Sequence, residues 1–275
     1  VLVTAKSADT GFYDRNFARS AEELNTEIRA EAFGEDIGQF SWTTADEHRR
    51  FQATLEIGPE SRVLEVASGS GGPGLFLVRS SGCELVGIDI HEGGIEAATE
   101  AAHKEGIADR ASFLLHDAQQ PLPFADESFD AVICIDSMNH LFHRGAVFQE
   151  WSRVLADGGR FLFTDAVVVR GPLRREEMLR RSPAMGEFLF TPAGWYEHAL
   201  AEAGFVDVRV EDVTSNIVGV AERWHAARES AERELRDVEG DERFEEFQQF
   251  LAATALVARE GRLARYAYVG TRPSR

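Results

Sequence analysis

The run "VLEVASGSGGPGLFL", residues 63–77, is the first place where this sequence can do chemistry. Gly69, Gly71 and Gly74 spell G-x-G-x-x-G after an apolar stretch, a pattern that brings backbone close to a ligand and starts a helix there. Glu65 stands just before that turn. An uncompensated carboxylate there repels a pyrophosphate and suits a ligand that carries positive charge. Asp89 ends the next apolar run, "ELVGIDI", where an acid can hold a ribose diol. Asp117 and Ala118 close "ASFLLHDA", where a carboxylate and backbone groups can hold an adenine amine. In "DSMNHL", His140 follows Asp136 by four residues, and imidazole is the side chain best suited to move a proton near pH 7.

These residues need a scaffold that brings them to one edge. "RVLEVA", "ELVGIDI", "ASFLLHD", "FDAVICID" and "GRFLFTDAVVV" read as strands, and most are followed by a helical stretch. The predicted helices cover residues 73–79, 92–104 and 144–155. Such alternation gives an α/β fold with a parallel sheet covered on both faces. Two more helices are expected before the sheet, at 18–32 and 46–56. After the fifth strand, residues 170–191 read as a basic, proline-punctuated lid. Thr191-Pro192 is expected to open a helix to Ala203, with proline at its first position. "FVDVRVED" is a strand, residues 214–260 are helical, and "LARYAYVGT" is the last strand. The expected division is an N-terminal helical cap, 1–57, over a domain of 58–275.

Composition narrows the function. The formal net charge of -18 over 275 residues argues against nucleic acid and against anionic membrane surfaces. The two cysteines, Cys83 and Cys134, lie in apolar runs and read as inert core thiols, so a reducing cytoplasm is the expected location. No signal peptide or long apolar span is legible. His48, His91, His103 and His116 lack paired ligand spacing, so no metal is expected. The acidic run "ERELRDVEGDERFEE" reads as a solvated face. A monomer or homodimer is expected.

The motifs "VLEVASGSGG", "GIDI", "LHDAQQPLPFADESFDAVICIDSMNHL", "WSRVLADGGRFLFTDA" and "LAEAGFVDVRVED" together resemble the class I S-adenosylmethionine-dependent methyltransferases over roughly residues 60–212. The resemblance implies a Rossmann-like, doubly wound seven-stranded sheet of order 3-2-1-4-5-7-6 with the last strand antiparallel. It implies S-adenosylmethionine as cofactor and S-adenosylhomocysteine as product. Carried over residue by residue, Ala67, Ser68, Gly69, Ser70 and Gly71 would wrap the methionine portion. Glu65 would fix that loop or the amino group, and Asp89 would take the ribose hydroxyls. Ile90 would pack on adenine, Asp117 and Ala118 would read its edge, and Ile135 would offer a backbone contact near the sulfonium. Plain core packing stays open for Ile90 and Ile135. Ala67 stands where many members have glycine and should be tolerated.

"AFGEDIGQFSW" and the long helical insertion are similar to the sarcosine/dimethylglycine and phosphoethanolamine N-methyltransferases. This implies a small-molecule acceptor, first an amine nitrogen; His140, after the fourth strand, is the candidate catalytic base, against a reading in which it only orders the loop. Gln39, Trp42, Asp136, Asn139 and Phe188 are the expected acceptor contacts, though Asp136 can equally bind loop backbone. The chain departs from the phosphoethanolamine enzymes at Ile37, where a tyrosine is usual, and at Ala166, Gly186 and Phe188, so a phosphobase is disfavoured. Arg262 keeps one basic position. Arg170, Arg174 and Arg175 are candidates for a carboxylate clamp, against a reading as solvated surface. Phe188 and Phe190 suggest an apolar wall and a larger natural product. Oxygen or carbon methylation, a cofactor-binding protein without catalysis, and a nicotinamide oxidoreductase remain as alternatives.

Overall fold

A computed structural model describes residues 16–17, 21–185 and 189–274. Before the sheet come helices α1 (Glu23–Phe33) and α2 (Ala45–Leu55). Thr44 caps α2 by accepting from the Glu47 N–H. The sheet then alternates with helices: β1 (Arg62–Val66), α3 (Gly72–Ser81), β2 (Glu84–Asp89), α4 (Glu92–Lys104), β3 (Ala111–Leu115) and β4 (Phe129–Cys134). A single 3-10 turn, Met138–His140, precedes α5 (Arg144–Val154) and β5 (Leu155–Val169). The chain continues through α6 (Arg175–Met185), β6 (Thr191–Pro192), α7 (Trp195–Glu202) and β7 (Val206–Asp212). Helices α8 (Thr214–Ser230), α9 (Glu232–Glu239) and α10 (Asp241–Arg259) lead to β8 (Leu263–Thr271).

The strand order is β3-β2-β1-β4-β5-β8-β7. β1 to β5 run parallel, and β8 lies antiparallel between β5 and β7. The sequence leads one to expect seven strands; the sheet has eight, because β6 adds a two-residue parallel pairing at Val168 and Val169. Leaving β6 aside, the order is the expected one. The helix expected at Thr191-Pro192 starts instead at Trp195, after Gly194 at φ 86°. Pro192 ends β6, an edge position that tolerates its missing N–H.

Two cores flank the sheet. Phe148, Trp151, Phe163, Tyr196 and Tyr268 pack on one face, and Phe51, Leu55, Leu75, Val78 and Leu85 on the other. A third cluster joins Phe33 and Trp42 from the N-terminal segment to Trp224, Phe247 and Phe250 from the insertion. The segment before the sheet and the insertion after β7 therefore meet above the carboxyl ends of the strands. The expected acidic face does lie outward, where Arg236 pairs with Glu232, Asp241 and Glu245. Cys83 and Cys134 are buried, free, and pushed up in pKa by burial. Among the described residues no helix is long and apolar enough to cross a membrane, and no cluster of ligands could hold a metal.

Candidate functional site

A cavity of about 410 Å³ opens at the carboxyl ends of β1, β2, β4 and β5. Glu65, Ala67, Ser68, Gly69, Asp89, Ile90, Asp117, Ala118 and Ile135 all line it. On the other side it is lined by Trp42, Asp136, Asn139, His140, Ala166, Arg181, Trp224 and Phe250. Among the described residues Glu65, Asp89, Asp117 and Asp136 line this space together with Arg181, and Asp136 is ion-paired with Arg265.

The glycine turn is shaped by what surrounds it. Gly69 (φ 54°) and Gly71 (φ 78°) adopt left-handed backbone. A Cβ on Gly71 would lie 2.6 Å from Ala98 Cβ and 2.9 Å from Phe113 Cζ, so this glycine serves packing and does not line the cavity. Ala67 also sits at φ 59°, where glycine is favoured. Its tolerance therefore has a cost, about 1–2 kcal/mol of backbone strain.

Gly74 answers a different need. A Cβ there would lie 2.2 Å from Oε2 of Glu65. The third glycine of the motif makes room for the carboxylate that the sequence places before it. Glu65 is 4 % exposed, and its Oε2 has no hydrogen-bond partner among the described residues. Burial, then the charge of Asp89, pushes its pKa up to about 8. Gly74→Ala should evict this side chain or distort α3, costing about 1–3 kcal/mol as overpacking does. That corresponds to a melting temperature lower by roughly 2–10 °C. Glu65→Ala added to Gly74→Ala should recover most of the loss. A wild-type melt for the single variant would sink this account.

Asp89 is 6 % exposed and organised by two backbone donors: Gly69 N–H reaches Oδ2 at 2.8 Å and His91 N–H reaches Oδ1 at 2.9 Å. Burial raises its pKa, opposed by those donors. A carboxylate offers about four lone-pair sites, so two remain for a vicinal diol. Ser68 Oγ and His116 Nε2 are also buried without a hydrogen-bond partner among the described residues. Both line the cavity. Asp117 Oδ1 accepts from the Gln119 N–H at 2.9 Å, which fixes its turn. His116 was not singled out by spacing; its position after β3 is the signal that could have found it. Ile90 is 47 % exposed, an apolar face left uncovered, whereas Ile135 is 8 % exposed.

On the acceptor side, the sequence expectations divide. Trp42 stacks on Phe250 with centroids 5.9 Å apart and meets Trp224 edge-on at 6.2 Å. Asn139 is 2 % exposed and its Nδ2 donates to Asp136 O at 3.1 Å, while its Oδ1 has no hydrogen-bond partner among the described residues. Asp136 spends Oδ2 on the Trp42 N–H at 2.9 Å, a donor from the N-terminal segment rather than from its own loop. Gln39 is corrected: its Oε1 accepts from the Ile37 N–H at 2.8 Å and its Nε2 donates to Glu35 O at 3.1 Å. It closes its own turn, is fully buried and does not line the cavity. Phe188 lies outside the described residues.

The lid arginines take the solvated-surface alternative: Arg170, Arg174 and Arg175 are exposed. Arg170 pairs with Asp212 at 2.8 Å, Arg262 holds Glu177, and none of Arg170, Arg174, Arg175 or Arg262 lines the cavity. Arg181 of the lid helix does line it, 2 % exposed and 5.6 Å from the Phe250 ring. Burial lowers its pKa to about 10, opposed by Asp165, so it stays charged at neutral pH.

Fold and site define a Rossmann-like protein built to hold an adenosyl ligand without a pyrophosphate. Residues 57–216 match the family described as Methyltransferase domain. The chain belongs to that family and is a class I S-adenosylmethionine-dependent methyltransferase. It is 30 % identical over 188 residues to the 27-O-demethylrifamycin SV methyltransferase of Amycolatopsis mediterranei, covering 66 % of this chain and 69 % of the relative. It is 40 % identical over 119 residues to methyltransferase GfsG of Streptomyces halstedii, covering 43 % of this chain and 42 % of that one. The match thus spans less than half of one relative and about two thirds of the other. The solved structure of a putative sarcosine dimethylglycine methyltransferase from Galdieria sulphuraria shares the fold, with a TM-score of 0.79 at 19 % identity, over 97 % of this chain and 99 % of that one.

S-adenosylmethionine fits the residues present. Glu65 and Asp89 line one cavity with Ala67, Ser68 and Gly69, and the Phe17 ring packs against the Gly69 turn. A cationic amino group beside Glu65 favours its ionised form. Binding below pH 8 must then release a proton, and affinity must rise with pH up to about pH 8. Calorimetry of S-adenosylhomocysteine binding in buffers of differing ionisation enthalpy, at about pH 6.5, should show release approaching one proton. Glu65→Gln should abolish that release; its persistence would assign the proton elsewhere.

Proposed function

We propose that this enzyme methylates an amine nitrogen of a small molecule, in the manner of sarcosine or dimethylglycine methylation. The observation that carries this reading is one cavity in which an aromatic wall of Trp42, Trp224 and Phe250 faces His140 and Asp136, beside the Glu65–Asp89 pair. Aromatic faces attract an ammonium, and the lining carboxylates add to that attraction. Curated relatives at 28–29 % identity include glycine/sarcosine/dimethylglycine and sarcosine/dimethylglycine N-methyltransferases.

In this reading Glu65, Ala67, Ser68 and Gly69 take the methionine end of the cofactor, Asp89 the ribose, and Ile90, Asp117 and Ala118 the adenine. Ile135 lies near the reacting centre. S-adenosylmethionine supplies a methyl group on a sulfonium. His140 takes the proton that an ammonium acceptor must lose before its lone pair can bond to carbon. Trp42, Trp224 and Phe250 exclude water and orient the acceptor, a positioning effect worth on the order of 7–11 kcal/mol at its ideal.

Oxygen methylation is the second reading, favoured by the apolar patch of Ala166, Val167 and Phe250 in the cavity wall. The rifamycin relative is named for an oxygen acceptor. Mass spectrometry of reactions with sarcosine, dimethylglycine and a set of phenols and alcohols decides between the two. Methylated amine supports the first reading, methyl ether alone the second. Tight cofactor binding with no product from any acceptor would leave the binding-protein alternative.

A further inference from the structure

Arg265, in β8, is fully buried and lies outside the family match. Its Nε donates to Asp136 Oδ1 at 2.7 Å. Its Nη1 reaches both oxygens of Glu47 at 2.9 and 2.7 Å. Its Nη2 reaches Thr43 Oγ1 at 2.7 Å and Thr164 Oγ1 at 3.3 Å. A guanidinium has five N–H donors in a fixed fork, and every one has an acceptor here.

Of these partners Asp136 lines the cavity, and Thr43 and Glu47 lie close in sequence to Trp42, which lines it from the N-terminal segment. Asp136 starts the turn that carries Asn139 and His140 after β4. Thr164 Oγ1 donates to Asp136 Oδ1 at 2.8 Å and accepts from the Asp136 N–H at 2.9 Å. The second oxygen of Asp136 accepts from the Trp42 N–H at 2.9 Å. Asp136 itself sits at φ 53°, a left-handed conformation that a non-glycine residue holds only when its surroundings impose it. The Arg265 fork, the Thr164 hydroxyl and the Trp42 N–H all hold its carboxylate there.

We propose that Arg265 is the positioning residue of the acceptor site, locking the Trp42 segment and the Asp136–His140 turn into one pocket. It touches neither cofactor nor acceptor; it acts through Asp136, Thr43 and Glu47. The inference rests on reading that turn as the acceptor side, so its test uses a readout that needs no acceptor.

The test is Arg265→Lys in the full chain with S-adenosylhomocysteine bound. Lysine keeps the charge but has three donors on a point ammonium and cannot span Asp136, Glu47 and Thr43 together. Hydrogen exchange at the Trp42 amide should accelerate by at least about tenfold, reporting local opening. The Gly69 amide, which donates to Asp89, should keep its protection, and calorimetric affinity for S-adenosylhomocysteine should stay within about threefold, since sites without shared partners are nearly independent. Glu47→Gln, which keeps the shape and removes one charge, should accelerate Trp42 exchange in the same selective way and serves if the lysine variant does not fold. Unchanged Trp42 exchange overturns the proposal. So does equal acceleration at Trp42 and Gly69, which marks a merely structural residue. Sarcosine turnover is followed alongside: its absence in the wild type fails the acceptor reading, while selective opening at Trp42 still upholds the pocket lock.

Discussion

Asp89→Ala is expected to weaken S-adenosylhomocysteine binding by at least about a hundredfold, because hydrogen bonds to a charged group are worth about 1.5–3 kcal/mol each. Two losses add. The free lone pairs of Asp89 no longer meet a ribose diol, and the Gly69 and His91 N–H groups lose their acceptor. The second loss loosens the turn that passes the methionine end, so the damage extends beyond the ribose. Asp89→Asn separates them. It keeps the shape and one acceptor oxygen but drops the charge, and should bind with an affinity between wild type and alanine. Isothermal calorimetry reads both variants; wild-type affinity in Asp89→Ala would remove this residue from the cofactor site.

His140→Ala carries the second large effect. Loss of a general base typically lowers turnover by about 10²–10⁴-fold, and the decrease should fall on kcat with an amine acceptor. His140 lines the cavity from the turn after β4, whereas Asp89 ends β2 and takes its backbone donors from Gly69 and His91. Affinity for S-adenosylhomocysteine should therefore hold within about threefold. Turnover equal to wild type would leave His140 an ordering role in the Met138–His140 turn, where its N–H donates to Ser137 O at 3.0 Å.

The sequence by itself determined the scaffold and which strand-end residues line the cavity. Short apolar strands and amphipathic helices are read from near neighbours, and parallel βα order follows from their alternation. Glu65, the glycine turn, Asp89 and Asp117 lie within a few residues of strand ends, so the topology carries them to one edge. The reason for Gly74 was not legible, because its neighbour across the turn is a side chain nine residues earlier whose direction only the fold sets.

The opposite wall of the cavity was decided by tertiary structure. Arg181 and the candidates Arg170, Arg174 and Arg175 sit on one basic stretch with the same local signal. Only the packing of α6 against α10 selects which of them enters the cavity. Gln39 has the local look of a contact residue, but its amide closes its own turn. Arg265 and Glu47 are 218 residues apart, and no spacing rule pairs them. Local periodicity reports which face a residue takes; partners brought together from distant segments depend on how the chain closes, and the wall of the cavity around Trp42 and Asp136 is built from such partners.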